Sequence, residues 1–262
     1  MKELLELKGI TAGYEQTVVL RDVNLAIHAH DFIGIIGPNG GGKTTLLKVI
    51  LGLLKPFSGE IVYHVSKQSL FGYLPQNSRF DARFPISVKE VVLSGLMSEK
   101  GIFKAYTKVD RKRVEEILEV YGMSDYKNRP IGELSGGQMQ RVFLCRAIIS
   151  SPKILILDEP STYVDANFEN EFYSVLGELN KTMSIVMVSH DLGTICSYVK
   201  TIACVNGGLH YHESNLITPE QLKLYNCPIE LISHGTVPHR VLLKHDRTIE
   251  NGELKIESEG KH

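Results

Sequence analysis

Gly37-Pro38-Asn39-Gly40-Gly41-Gly42-Lys43-Thr44-Thr45 follows the apolar run Phe32-Ile33-Gly34-Ile35-Ile36 and leads into Leu46-Leu47-Lys48-Val49-Ile50. The order is strand, glycine-rich turn, helix, which is the order of a P-loop. Glycines leave room for backbone N–H groups to converge on phosphate oxygens, and the helix N-terminus adds its partial positive charge. Lys43 is placed to reach the β- and γ-phosphates and Thr44 to ligate Mg²⁺. A bare glycine turn explains the glycines but not the lysine and hydroxyl at their spacing. The chain is therefore expected to bind a nucleoside triphosphate.

A second stretch narrows the class. Leu134-Ser135-Gly136-Gly137-Gln138-Met139-Gln140-Arg141 precedes a helical pattern with apolar Val142, Cys145 and Ile149. The strand-like Ile154-Leu155-Ile156-Leu157 follows and runs into Asp158-Glu159-Pro160. Ser-Gly-Gly alone is a common flexible turn, and its position just before an acidic strand end is what distinguishes it. Together with the P-loop, these elements resemble the ATP-binding cassette (ABC) ATPases, over nearly all of residues 1 to about 225. The Leu-Ser-Gly-Gly-Gln signature is absent from other P-loop families.

The resemblance implies a set of roles. Pro38, Asn39, Gly40, Gly41, Gly42, Lys43, Thr44 and Thr45, with Gly37, would cradle ATP. Tyr14, in Gly13-Tyr14-Glu15, would stack on adenine, although a tyrosine half-packed on a sheet edge is the plainer reading. Asp158 would partner Mg²⁺ together with Thr44 and Gln76. Glu159 would be the general base or water-positioning carboxylate, although adjacent acids at a strand end also cap helices. Gln76 would match the glutamine that links nucleotide state to the helical subdomain, and His190, in Val188-Ser189-His190-Asp191, the switch histidine at the γ-phosphate. Ser135, Gly136, Gly137 and Gln138 would grip the γ-phosphate held by a second cassette, so that two subunits sandwich two ATPs head to tail. Asp165 would signal between the two sites; neighbouring Tyr163 departs from the small residue common there, which leaves the local geometry open.

Composition fits this reading and excludes others. The chain has 262 residues, 43% of them hydrophobic, which is ample for a buried core. A formal net charge of -1 gives no long-range pull toward nucleic acid or an anionic membrane. Lys108, Arg111, Lys112 and Arg113 are answered by Glu115, Glu116 and Glu119, which suggests a solvated helix face. Cys145, Cys196, Cys204 and Cys227 are scattered, with no C-x-x-C spacing, and fit a reducing cytoplasm. No apolar run approaches the roughly 18 residues of a membrane span, and the start of the chain does not read as a signal peptide. Any membrane role is expected to come through a partner, at the cytoplasmic face.

The expected architecture is α/β: a P-loop NTPase core with a mainly parallel sheet, an N-terminal antiparallel β-subdomain and an inserted α-helical signature subdomain. Residues 3 to 27 alternate apolar and polar around a Gly13-Tyr14 turn, and Pro56-Phe57-Ser58-Gly59 turns into the strand Glu60-Ile61-Val62-Tyr63. From Tyr73 to about Ser150 the pattern is helical with proline breaks, with Ser87 and Glu90 spaced as a capping box. The inserted subdomain is set at about 77 to 150. Strand runs return at Ile154 to Leu157, Ile185 to Val188 and Thr201 to Val205. Residues 226 to 262 form a weakly patterned extension with a frayed tail.

Within the family, one compact cassette without an intervening coiled coil implies the ATPase subunit of an importer. Its partners would be a second cassette, an integral membrane permease and an extracytoplasmic solute-binding protein. Gly41-Gly42, the segment from Val205 to His212 and the segment from Cys227 to Gly235 look similar to the zinc and manganese importer branch. Heme, siderophore or cobalamin importers are the alternative, and a non-transport cassette is the alternative of a different class. His210, His212, His234, His239 and His245 invite a metal-sensor reading, but their spacing matches no recognised ligand set.

Overall fold

The computed structural model describes residues 2–76, 85–100, 104–160, 166–189, 195, 197–212, 231–233, 238–240, 249–250 and 253–254. Two long strands open it, β1 (Glu3–Tyr14) and β2 (Thr17–His28), paired antiparallel. The reversal falls at Glu15 and Gln16 rather than at Gly13-Tyr14, because both of those residues still pair across the hairpin, with Val18 and Thr17. The left-handed backbone is taken by Glu15, at φ 52°. β4 (Ser58–Tyr63) joins the other edge of β1 and completes a three-stranded antiparallel sheet.

A second sheet of six strands runs in the order β5-β6-β7-β3-β8-β9. Its members are β3 (Phe32–Ile36), β5 (Phe71–Leu74), β6 (Ile154–Asp158), β7 (Ser184–Val188), β8 (Thr201–Asn206) and β9 (Gly208–His212). The first five in spatial order are parallel and β9 is antiparallel to β8. Every residue of β3, β6 and β7 is buried, as expected for strands covered on both faces. β5 was not anticipated. Its last two residues, Tyr73 and Leu74, lie where the sequence read as the start of a helical stretch, and a strand of four residues carries too little alternation to declare itself.

Two apolar clusters cover the parallel sheet. On one face Ile33, Ile35, Ile156 and Val186 meet α1 (Lys43–Ile50) and the inner side of the antiparallel sheet, including Leu5, Leu7, Ile10 and Leu20. On the other, Leu155, Leu157, Ile185 and Met187 meet Phe172, Tyr173 and Leu176 of α6 (Ala166–Asn180) and Leu144 and Ile148 of α5 (Gly136–Ile148). Each such side chain, taken fully out of water, contributes about 1.5–3 kcal/mol before chain entropy is charged against it.

The third cluster belongs to the helical insertion, where α2 (Val88–Ser94) and α4 (Lys108–Val120) join α5, and the short α3 (Met97–Lys100) follows directly on Leu96 of that cluster. Ser87 caps α2 as its spacing predicted, its backbone N–H reaching Glu90 Oε2 at 2.8 Å. α4 carries an unpredicted capping box, Thr107 with Asp110. The basic cluster is only partly a solvated face: Lys112 pairs with Glu116 at 3.4 Å, whereas Arg113 is half-buried, bidentate on Glu99 at 2.9 and 3.1 Å and donating to the Ile149 carbonyl at 2.6 Å. Cys145 and Cys204 are buried, and burial pushes the Cys145 thiol up to about 12, leaving it a small apolar side chain. Cys196 and Cys227 lie outside the described residues.

Within 226 to 262 the described residues hold two short antiparallel pairings, Leu231–Ser233 with Pro238–Arg240 and Ile249–Glu250 with Glu253–Leu254. Regular pairing was not expected there, and the terminal tail lies outside the described residues.

Candidate nucleotide site

Parallel strands put all their C-terminal ends on one edge, and the candidate residues collect there. β3 ends into the P-loop, β6 ends at Asp158, β5 leads to Gln76 and β7 leads to Ser189. The register places Asp158 beside Val188, and Val188 beside Ile35 of the P-loop strand. Three elements distant in sequence thus converge on one cleft.

The P-loop backbone takes shapes that only glycine tolerates. Gly37 sits at φ 149°, and a Cβ there would lie 2.0 Å from the Val205 carbonyl oxygen of β8. Gly42 sits at φ 105° and caps α1 without any side chain accepting from the helix N–H groups. No acidic residue occupies the first turn of α1. The helix therefore presents uncapped N–H groups and an uncompensated positive end, which suits a phosphate. Lys43 is 7% exposed, and its Nζ donates to the carbonyls of Gly37 and Pro38, both at 2.9 Å. Those bonds hold the ammonium inside the loop it would serve. Thr44 is exposed at the mouth, and Thr45 is buried.

Tyr14 stands at the end of β1, 42% exposed, and accepts from Lys48 Nζ of α1 at 3.1 Å. Burial by itself raises the pKa of its hydroxyl, but hydrogen bonds with Lys48 and Thr45 outweigh it and bring the group below the ordinary tyrosine value. The ring is thereby tied to the helix that follows the P-loop, with Lys48 Nζ 5.1 Å from its centroid.

On the acidic side, Asp158 is 5% exposed. Tyr73, on β5, hydrogen-bonds to it; burial first, and then the Asp158 charge, push the Tyr73 pKa up, so its hydroxyl stays protonated as a donor. Tyr73 was missed from sequence because the strand that carries it was missed. Glu159 is left-handed at φ 50°, strained for a residue with a side chain, and its N–H donates to the Val188 carbonyl at 3.0 Å. Its carboxylate accepts a hydrogen bond from Gln76 Nε2, across 83 residues of sequence. The fold thus brings together two residues that sequence had assigned to one site. His190 and Asp165 lie outside the described residues.

The signature segment starts α5. Ser135 is its N-cap: its Oγ accepts from Gln138 N–H at 3.3 Å, and its own N–H donates to Gln138 Oε1 at 3.0 Å. Gly136 and Gly137 form the first turn, so the segment presents a helix N-terminus as the sequence implied. One turn on, Gln140 Nε2 donates to the Pro160 carbonyl, linking the signature helix to the chain just past Glu159.

The ABC transporter family profile matches residues 20–162, more than half of the chain. The chain belongs to the ABC transporter family. It is a nucleotide-binding ATPase of a transporter. Over 215 residues it is 41% identical to the zinc uptake system ATP-binding protein ZurA of Listeria innocua, covering 79% of this cassette and 84% of that protein. Among solved structures, it is similar to an ABC transporter described as metal-chelate type, in an inward-facing conformation, at TM-score 0.80 and 26% identity, over 93% of this cassette and 98% of that chain. It also matches the dimeric structure of a bacterial ABC transporter cassette, at TM-score 0.69 and 26% identity, over 82% of this cassette and 100% of that one. Among the described residues of the cassette, no helix is long and apolar enough to cross a membrane.

Proposed function

We propose that this cassette is the ATP-hydrolysing subunit of an importer for a divalent metal ion, zinc or manganese, acting through a separate permease. The observation that carries this is the 41% identity to a zinc uptake ATP-binding protein across most of both chains. The cassette works at the cytoplasmic face of the membrane, as a head-to-tail pair supplied by an extracytoplasmic binding protein. Residues 1–225 form the ATPase domain, with the helical subdomain at about 77–150 inserted, and 226–262 form an extension.

The residues present fit Mg²⁺ and a triphosphate. A Cβ at Gly37 or Gly41 would lie 2.0 or 2.7 Å from the Val205 carbonyl oxygen, so the loop keeps its shape only with glycine at those positions; a lysine lies within the loop, and the donor set of Thr44, Asp158 and Gln76 is all oxygen, as a hard cation requires. When bound, Mg²⁺ neutralises phosphate charge. The rest falls to the chain. Lys43 exchanges its carbonyl partners for phosphate oxygens, and Tyr14 offers its ring to adenine. Glu159 orients the attacking water and receives its proton, while Gln76, bonded to that carboxylate, reports the state of the site to the helical subdomain. Ser135, Gly136, Gly137 and Gln138 complete the site of the other subunit. His190 and Asp165 are assigned to the γ-phosphate and to communication between the two sites.

Deleting the gene is expected to impair growth under metal chelation, and zinc or manganese added back is expected to restore it. Rescue by heme or cobalamin, with no response to either metal, would favour the chelate-importer reading. That reading draws its support from the similarity to the metal-chelate type transporter.

A further inference from the structure

β1 carries a bulge near its start. Glu3 pairs with His28 and Leu5 with Ile27, so β1 has one residue more than its partner between these pairs. The consecutive Leu4 and Leu5 are both buried. The bulge shifts the phase of alternation, and Glu3 and Glu6, an odd number of residues apart, emerge on one outer face. On the other side of β1, Val62 of β4 faces Glu6. His64 follows two residues later, its N–H donating to the Leu4 carbonyl at 3.1 Å, and returns its side chain to the same face. Its Nε2 lies 3.3 Å from Glu3 Oε2 and 3.7 Å from Glu6 Oε2, and the three ligand atoms fall within 4.8 Å of one another.

We propose that Glu3, Glu6 and His64 form a binding site for a divalent transition-metal ion of the zinc class. Tetrahedral zinc holds nitrogen and oxygen ligands at about 2.0–2.1 Å, which sets neighbouring ligand atoms about 3.3 Å apart, close to the two imidazole–carboxylate separations here. One imidazole and two carboxylates leave a fourth position for water, and the imidazole favours zinc over magnesium. His64, Glu3 and Glu6 keep 34%, 33% and 26% of their side-chain surface exposed, so an ion reaches them from solution. The site is at the opposite end of β1 from Tyr14, roughly 25 Å along the strand at the usual rise per residue. It goes beyond the importer reading and stands whichever cargo the transporter carries. Lys8 is its internal competitor: its Nζ lies 3.0 Å from Glu6 Oε2, a place the metal must take over.

The test is calorimetric titration of the full chain with Zn²⁺ alone, without nucleotide, comparing wild type, His64→Ala and Lys8→Gln. Loss of a partner outside the ligand shell already weakens metal sites about 10- to 100-fold, so His64→Ala is expected to weaken binding by at least about tenfold. Lys8→Gln is expected to tighten it, an outcome that mere loss of folding cannot produce. Zinc is expected to raise the Tm of wild type more than that of His64→Ala, and magnesium to leave the two with the same Tm difference as without added metal. Zinc bound by exposed histidines such as His210 is common to all three proteins and cancels in the difference. Identical isotherms for wild type and His64→Ala, or no tightening in Lys8→Gln, overturn the proposal.

Discussion

Glu159 holds a backbone angle that disfavours any side chain, and holds it one residue past a buried aspartate. Strain of this kind persists where the surroundings over-determine it, here through the Val188 carbonyl and the Gln76 amide. Glu159→Gln is expected to keep nucleotide binding while turnover falls by about 10²- to 10⁴-fold, the usual cost of losing a general base. A steady-state ATPase assay beside a nucleotide-binding titration checks it, and wild-type turnover would remove Glu159 from the role. The strain has its own readout. With the carboxylate gone from both, Glu159→Gly is expected to be more stable than Glu159→Ala by about 0.5–1 kcal/mol, because glycine adopts this angle freely and alanine does not. Denaturant unfolding of the pair measures it. Lys43, Asp158 and Glu159 were legible in the sequence because their chemistry lies in local spacing. Tyr73 was not, because its contact with Asp158 depends on two strands lying side by side.

Among the elements, α4 depends on one carboxylate more than its sequence suggests. Asp110 accepts from the Thr107 N–H at 2.6 Å and the Thr107 hydroxyl at 2.7 Å, and pairs with Lys100 at 2.6 Å. Lys100 first, then Thr107, hold its pKa down to about 2. A pKa lowered by folding contributes stability that is complete above the unfolded value near 4 and is lost as pH falls through about 2. Asp110→Asn is therefore expected to be the less stable protein at pH 7, and the difference is expected to vanish near pH 2. Hydrogen exchange across residues 104–120 as pH is lowered follows it, and a gap that stays constant with pH would refute the assignment. The Ser87–Glu90 box and the buried strands β3, β6 and β7 were legible because capping spacing and unbroken apolar runs are local signals. The bulge at Leu4 and Leu5 was not: two adjacent leucines read as a simple apolar pair until the register across β1 shows which face each residue takes.

At the scale of the whole molecule, the paired-site reading predicts defects that act across subunits. Lys43→Ala is expected to weaken nucleotide binding directly. Ser135→Arg is expected to spare binding to the monomer and block hydrolysis at the partner's site. Mixing the two variants is expected to restore at most one competent site per heterodimer. Normal turnover by Ser135→Arg would end the sandwich model. The cargo was the least legible property, since only resemblance to other importers points to it. The sheet order has a further consequence, in time rather than in space. β3, near the start of the chain, lies between β7 and β8, and the P-loop rests on Val205 and receives the Gly207 N–H at the Gly41 carbonyl. Contacts this far apart in sequence form late, after the long loop between them has been closed. As the ribosome delivers the chain, the phosphate cradle is made early and receives its floor only once residues near 205 have emerged. A half-made subunit therefore has the motif for ATP without the platform that shapes it.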